Sequence, residues 1–297
     1  MKFDFIGKKA IWFTISFVII VIGILSIAFK GINLGIEFKG GTVFDIKFNQ
    51  EVKVGEIRDL LKEFKLEKSI IQSLEDDELL IRTKALTKES QSSIVEKMEK
   101  EFGIKEVIYI QNVSAAWGEQ ITRAALLALI LALTLILIFI SLRFEFKMAV
   151  NAILAIFHDI LITVGIYALV GREVTPATVG ALLSILGYSL YDTIVVFHRI
   201  AENSKKIGKR TYSMMVNDSI NQVFMRSVNT SLTSLLPVIS LLLIGGETLK
   251  DFAFALFIGL ISGAYSSVFF ASPILAIWKE TEPRYSSLKR KYAKINS

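Results

Sequence analysis

Six long apolar stretches dominate the pattern of hydrophobic and polar positions along the chain. They cover residues 11–29, 124–142, 148–170, 176–197, 226–244 and 252–278. A helix needs about 20 apolar residues to cross the hydrocarbon core of a bilayer. The pattern therefore predicts a multi-pass membrane protein with six transmembrane helices. A secretory signal is the alternative for the first stretch, but its length and the lack of a small-x-small cleavage site favour a retained helix.

The segment between the first two stretches, residues 31–122, is charged and of mixed sign, as in a soluble domain. Periods of two and 3.6 residues separate its predicted strands from its predicted helices. The predicted elements are a strand at 42–48, a helix at 54–64, strands at 69–74 and 79–83, a helix at 87–102 and a strand at 106–110. This β-α-β-β-α-β order predicts a small α+β ferredoxin-like domain outside the cytoplasm.

Two local motifs in this domain have a plain and a functional interpretation. Gly40-Gly41 beside Lys39 has the composition of a phosphate loop, but it precedes a strand and does not open a helix, which favours a tight backbone bend. The acidic run 75–78 is either a cation site or a solvated turn, and the turn is the simpler interpretation.

The distribution of charge along the chain predicts on which side of the membrane each connection lies. The net charge is +6, and Lys and Arg concentrate before the first span, between the second and third, after the fourth and in the tail. Because basic flanks resist translocation, both termini are predicted to be cytoplasmic. The predicted parts are 1–30, with helix 1; 31–122, the external domain; 123–278, helices 2 to 6; and 279–297, a basic tail.

Composition also limits the chemistry. The chain has no cysteine and two histidines, so thiolate sites and His-rich metal sites are not expected. No catalytic constellation, nucleotide fingerprint or nucleic-acid motif is found in the sequence. We therefore expect neither an enzyme, nor a metal or organic cofactor, nor a nucleic-acid partner.

Ionisable side chains occur inside three of the predicted spans, where each costs several kcal/mol. His158 and Asp159 lie in the middle of helix 3, Asp192 lies in helix 4, and Arg226 begins helix 5. Asp192 falls about 9 Å from the cytoplasmic end of its helix, within reach of Arg226. Two interpretations remain open: the charges neutralise each other or Arg226 reaches the headgroups, or protonation of Asp192 switches helices 4 and 5 between two arrangements.

Polar residues accompany these charges. Ser184, Tyr188 and Asp192 repeat every four residues on one face of helix 4, and Ser189 stands one turn from Asp192. Helix 5 adds Asn229, Thr230, Ser231, Thr233 and Ser234. These groups are numerous enough to hold a file of waters, so a proton route past Asp192 and Arg226 is physically feasible. His158 and Asp159 are further polar residues, and for Asp159 both buried pairing, with His158 or a neighbouring helix, and proton carriage remain open. Protons would then be the coupling ion.

Small residues repeat at four-residue spacing on helices 4 and 6. They are Gly180, Ala181, Ser184 and Gly187 on the first, and Gly259, Ser262, Gly263 and Ser266 on the second. Such faces are typical of close helix packing in membranes.

Six motifs, in order along nearly the whole chain, resemble the SecF branch of the bacterial SecD/SecF protein-export membrane proteins. They are FDFIGK at 3–8, GIEFKGGT at 35–42, HD at 158–159, GYSLYDTIVVF at 187–197, RSVNTSLTSLLP at 226–237 and YSS at 265–267. The resemblance implies half of a resistance-nodulation-division transporter bundle. It also implies an inner-membrane subunit that pairs with SecD and uses the proton motive force to assist preprotein translocation.

The same resemblance implies partners and roles. The expected partners are SecD, the SecYEG channel, YajC and YidC, an unfolded preprotein as cargo, and membrane lipids. Asp192 and Arg226 match the family's proposed proton-coupling pair. The chain departs from the family pattern at Leu190-Tyr191, where Ile-Asn is common, and at His198, where Asp is common. The alternatives are a small-molecule or lipid exporter of the same superfamily and a non-transporting scaffold.

Overall fold

The computed structural model describes residues 3–67, 69–75, 77–208 and 210–295. The chain divides into two compact units. One comprises Met1–Asn33 with Ala128–Ser297, and the other comprises Leu34–Leu127.

The elements follow one another with few long loops. In chain order they are α1 (Lys9–Lys30), α2 (Ile36–Lys39), β1 (Gly41–Phe48), α3 (Val54–Glu63), β2 (Ile70–Glu75), β3 (Glu78–Thr83), α4 (Lys88–Phe102), β4 (Ile104–Val113), α5 (Ala115–Arg143), α6 (Phe146–Val170), α7 (Pro176–Ser204), α8 (Tyr212–Ile244), α9 (Glu247–Tyr265), a π-helical segment (Ser266–Ala271), α10 (Ser272–Glu280) and α11 (Pro283–Ile295).

Each of the six apolar stretches lies in a helix long and apolar enough to cross a membrane, and these candidate spans are α1, α5, α6, α7, α8 and the continuous run of α9, π segment and α10. The prediction of a multi-pass helical membrane protein is therefore confirmed. In the first unit α6, α7 and α9 pack on one another, α1 lies against α6, and α8 lies against α7 and α9.

Two of these helices are longer than their apolar stretches. α7 continues from 197 to Ser204, and α8 begins at Tyr212 instead of at 226. The first turn of α8 is fixed by Thr211, whose hydroxyl accepts a hydrogen bond from the Met214 amide at 3.1 Å. Hydropathy marks only the part of a helix that meets hydrocarbon. The predicted helices are therefore too short where an amphipathic helix continues beyond its apolar stretch. Likewise α11 is a helix within what was predicted only as a basic tail.

The contact between α1 and α6 depends on two glycines. A Cβ atom added to Gly165 would lie 2.7 Å from the Cα of Gly23, and one added to Gly23 would lie 2.9 Å from the Cα of Gly165. The two backbones therefore touch directly, as small residues allow in membrane helices.

The second unit carries a four-stranded antiparallel sheet in the order β2-β3-β1-β4. The order β-α-β-β-α-β along the chain agrees with the predicted one. Phe44, Ile46 and Phe48 of β1 are buried against Ile57 of α3 and Ile94 of α4, which places both helices on one face of the sheet. Thr87 caps α4 by accepting a hydrogen bond from the Ser90 amide at 3.3 Å. In the predicted acidic turn, Asp76 lies outside the described residues.

Gly40, just before β1, and Gly41, its first residue, form the bend that the sequence favoured. Gly40 has φ of 76°, a conformation that suits glycine. A Cβ atom on Gly41 would lie 2.5 Å from the carbonyl oxygen of Thr83, so the chain passes close to β3 there.

An unusual carboxyl group lies on the other face of this sheet. Asp45 of β1 is 6% exposed, and its Oδ1 atom has no hydrogen-bond partner. Burial, followed by the charge of Glu78 and a hydrogen bond to its carboxyl group, raises the pKa of Asp45 from 3.8 to about 6. Arg82 and Glu37 also act on this face, since both shift the pKa of Tyr109 in β4, and Lys47 lies 3.9 Å from Glu78.

We expect Gly165→Ala to destabilise the first unit by about 1–3 kcal/mol, because the added methyl group overlaps the Gly23 backbone. Gly180→Ala is the matched control: its Cβ has nothing within 4 Å, so helix propensity alone makes it neutral or stabilising by up to about 1 kcal/mol. The measurement is thermal unfolding in detergent. Equal midpoints for the two variants would contradict the close contact.

We expect the second unit to be more stable at pH 5 than at pH 7. A carboxyl whose folded pKa lies above its unfolded value contributes stability that is full below about pH 4 and is lost as the pH rises through about 6. Amide hydrogen exchange of β1 and β3, corrected for the intrinsic effect of pH, measures it. Asp45→Asn should remove this pH dependence. A dependence that persists unchanged in Asp45→Asn would assign it to another group.

Candidate functional site

Asp159, in the middle of α6, is fully buried and accepts hydrogen bonds from three serines of neighbouring helices. Ser262 Oγ donates to Oδ1 at 2.6 Å. Ser189 Oγ and Ser266 Oγ donate to Oδ2 at 2.6 and 2.8 Å. Three hydroxyl groups from α7, α9 and the π segment thus replace the water that a carboxyl group would have outside the membrane.

His158 extends this arrangement toward α1. Its Nδ1 lies 3.0 Å from Asp159 Oδ1, and its Nε2 lies 3.0 Å from Ser16 Oγ. Ser16 in turn lies 3.4 Å from the hydroxyl of Tyr265, which donates to the carbonyl of Trp12 at 2.7 Å. We call Asp159, His158 and the serines that bond to them the Asp159 cluster; these serines are Ser16, Ser189, Ser262 and Ser266.

Asp192 lies on α7, one turn beyond Ser189, and is 7% exposed. Ser231 of α8 donates a hydrogen bond to its Oδ2 at 3.2 Å. Beside it lies a cavity of about 20 Å³, lined by Ser189, Asp192 and Ser231 together with Thr230 and Ser234. A cavity of this size, with several hydroxyl groups and one carboxyl group on its wall, has room for one water molecule. Ser189 therefore faces Asp159 through its hydroxyl and borders the same small cavity as Asp192.

Arg226 does not pair with Asp192 in this structure. Its Nη2 atom donates to the hydroxyl of Tyr191 at 3.3 Å, and the side chain is exposed. Among the residues that the structure describes, Arg226 has no carboxylate within ion-pair distance. The two groups predicted to act together thus lie on adjacent helices with separate partners.

The remaining predicted residues divide into two groups. Thr230 borders the cavity, although its hydroxyl donates to the Arg226 carbonyl at 2.9 Å. Tyr188 also borders the cavity, although it is 51% exposed. The others lie away from the cavity: Ser184 and Thr233 bond carbonyl groups of their own helices at 2.9 and 2.8 Å, and Asn229 is exposed.

Sequence reasoning missed part of the cluster. Ser262 and Ser266 were interpreted as packing residues and Ser16 was not singled out, yet all three are buried hydrogen-bonding groups. The four-residue spacing of Ser262 and Ser266 did show that they share a helix face. No sequence pattern indicated that this face meets Asp159.

The arrangement can hold and pass protons. A carboxylate with three hydroxyl donors and an imidazole neighbour is stabilised without a fixed cation, and hydroxyl groups both donate and accept. Asp192, by contrast, has one hydroxyl partner and a water-sized space beside it. Among the described residues no group of three or more Asp, Glu, His or Cys side chains is arranged to hold a metal ion.

Comparison with known proteins gives consistent matches. Residues 93–281 match the family described as "Protein export membrane protein SecD/SecF, C-terminal", and residues 25–52 match "SecD/SecF GG Motif". The protein translocase subunit SecF of Streptomyces coelicolor is 41% identical over 97% of this chain and 80% of its own length. That of Sebaldella termitidis is 38% identical over 93% of this chain and 91% of its own.

A solved structure agrees with these relatives. The crystal structure of SecDF, a translocon-associated membrane protein from Thermus thermophilus, superimposes with a TM-score of 0.87 at 35% sequence identity. The match covers 94% of this chain but 39% of that one, so the chain spans well under half the length of that SecDF chain.

We expect Asp159→Ala to destabilise the protein by about 3 kcal/mol or more, because it leaves three buried hydroxyl groups without their acceptor. Asp159→Asn should cost less, since its amide oxygen still accepts. Asp59→Ala is the control, because Asp59 is exposed on α3 and pairs with Lys62 at the surface. Thermal unfolding in detergent compares the three, and an Asp159→Ala midpoint equal to that of Asp59→Ala would contradict the role of the cluster.

Proposed function

We propose, from the fact that this chain belongs to the SecD/SecF family of protein-export membrane proteins, that it assists preprotein translocation across the bacterial inner membrane and is driven by protons. In this proposal it is the SecF subunit, and SecD is its partner. Support for SecD comes from the solved SecDF chain, of which this chain matches 39%. The SecYEG channel, YajC and YidC are further proposed partners, on the family resemblance alone.

The proposed topology follows the positive charges. Both termini and the basic connection after α7 lie in the cytoplasm, and the second unit lies outside it. There the sheet with two helices on one face would form a ferredoxin-like domain that holds or releases the emerging preprotein. Half of a resistance-nodulation-division bundle, formed by the six spans, would carry the protons.

One observation carries the proposal: a serine that bonds one buried carboxyl group also borders the cavity beside a second one. Ser189 donates to Asp159 at 2.6 Å and borders the water-sized cavity beside Asp192. A water in that cavity would complete a hydrogen-bonded connection from Asp192 through Ser189 to Asp159 and His158. Asp192 is the better candidate for proton uptake, because it has one hydroxyl partner where Asp159 has three.

Protonation of Asp192 would change the forces between α7 and α8. The charged form keeps the Ser231 hydroxyl as a donor and attracts the guanidinium of Arg226, whereas the neutral form does neither as strongly. In the present arrangement Arg226 bonds Tyr191, the residue before Asp192. We infer two states, with Arg226 on Tyr191 in one and drawn toward Asp192 in the other.

The energy available is sufficient for such a switch. A proton that crosses the membrane supplies about 2.3 kcal/mol per 100 mV. A few kcal/mol changes a two-state equilibrium by more than tenfold, so a small number of protons would drive one movement of the external unit.

We expect Asp192→Asn to slow preprotein export to the rate of cells that have no SecF, because Asn cannot take up a proton. Pulse-labelling in cells whose own SecF has been removed measures the rate, with membrane levels and SecD pairing checked in parallel. Asp218→Asn, the same change on the part of α8 that precedes its apolar stretch, should export as wild type. Dissipating the proton gradient should slow the wild type and leave Asp192→Asn unaffected.

Normal export by Asp192→Asn would make this residue structural and end the proton-coupling proposal. Failure of the wild-type chain itself, while inserted in the membrane, would favour an exporter of small molecules or lipids.

A further inference from the structure

A basic groove of about 480 Å³ opens between α5, α7 and α8. Arg143 of α5, Arg199 of α7 and Arg226 of α8 all line it. No step of the proposed proton route uses Arg143 or Arg199.

The groove has more positive charge than the chain itself neutralises. Arg199 donates to Glu202 at 2.6 Å and to Gln222 at 2.5 Å. Glu202 is the one acid among the described residues that line the groove. Arg143 and Arg226 have no carboxylate partner in the described parts of the chain. The three guanidinium groups and one carboxylate of the groove have a net charge of +2. This charge favours the binding of an anion.

The groove lies at the level where three helices change from apolar to charged sequence. Arg143 follows the apolar stretch of α5, Arg199 comes two residues after that of α7, and Arg226 begins that of α8. Such a transition marks the boundary between hydrocarbon and headgroups. The phosphates of lipids lie at this same depth.

Apart from the arginines, one wall of the groove is apolar. Phe139, Ile194 and Val195 line it from the side of the spans. A ligand that fits must therefore carry a negative group for the arginines and a hydrocarbon part for these walls. Arginine is the side chain best suited to bind phosphate with two parallel hydrogen bonds.

We propose that this groove binds the headgroup of one anionic phospholipid from the leaflet on the basic side of the protein. The phosphate lies among Arg143, Arg199 and Arg226, and an acyl chain lies along the apolar wall. Basic pockets between transmembrane helices are suited to such headgroups. The site shares Arg226 with the proposed proton switch but does not depend on it.

The test is native mass spectrometry of the full chain with phosphatidylglycerol or phosphatidylcholine of the same acyl chains. We expect the wild type to retain one phosphatidylglycerol in preference to phosphatidylcholine. Arg143→Gln with Arg199→Gln should lower that retention about tenfold or more, as loss of charge-assisted contacts predicts. Arg290→Gln, the same change at an exposed arginine of α11 outside the groove, should retain the lipid as the wild type does.

Three results would overturn the proposal. The groove variant could retain phosphatidylglycerol as well as the Arg290→Gln control does. Inorganic phosphate at equal concentration could displace the lipid, which would make the groove a site for a free anion. Finally, addition of SecD could remove the bound lipid, which would make the groove a subunit interface.

Discussion

A carboxyl group in the middle of a membrane helix must obtain its hydrogen bonds from the protein, and the bundle of the first unit is organised around that requirement. Asp159 receives its donors from Ser189, Ser262 and Ser266, which stand on three other helical segments. Because each donor must stay within about 3 Å, the relative height and rotation of α6, α7 and α9 are set by one side chain. A purely apolar contact would fix neither.

The proposed switch is the opposite case. Asp192 has a single hydroxyl donor, a water-sized space and an arginine held elsewhere by Tyr191. A group satisfied so incompletely can change its partner at small cost, whereas Asp159 cannot. In the proposed mechanism this contrast gives the fixed role to Asp159 and the moving role to Asp192, although both lie in spans and Ser189 lies near both.

Much of this could be predicted from the sequence, and the failures have physical causes. Hydropathy located the six spans because burial in lipid selects apolar residues, and alternation located the strands of the sheet. The start of α8 at Tyr212 was not predicted, because a hydropathy pattern locates apolar stretches and not the polar turns of a helix that precede them. Asp159 was not predicted as the acceptor of Ser262 and Ser266. Periodicity shows which residues share a helix face, but it does not show which residue of a neighbouring helix that face contacts. The contact of Arg226 with Tyr191 was not predicted. Positions along two helices show that Arg226 can reach either Tyr191 or Asp192, but they do not show which of the two it bonds.

The π-helical segment at Ser266–Ala271 has a consequence for the length of the sixth span. It holds one residue more than a regular turn, so two consecutive serines both point into the interior: Ser266 toward Asp159 and Ser267 toward Thr193 at 2.8 Å. Each residue turns a helix by about 100°. Loss of a single codon here would restore a regular turn, in which consecutive side chains point about 100° apart, and one of the two serines would then leave the interior. Natural variation in this span should therefore conserve residue number more strictly than residue type.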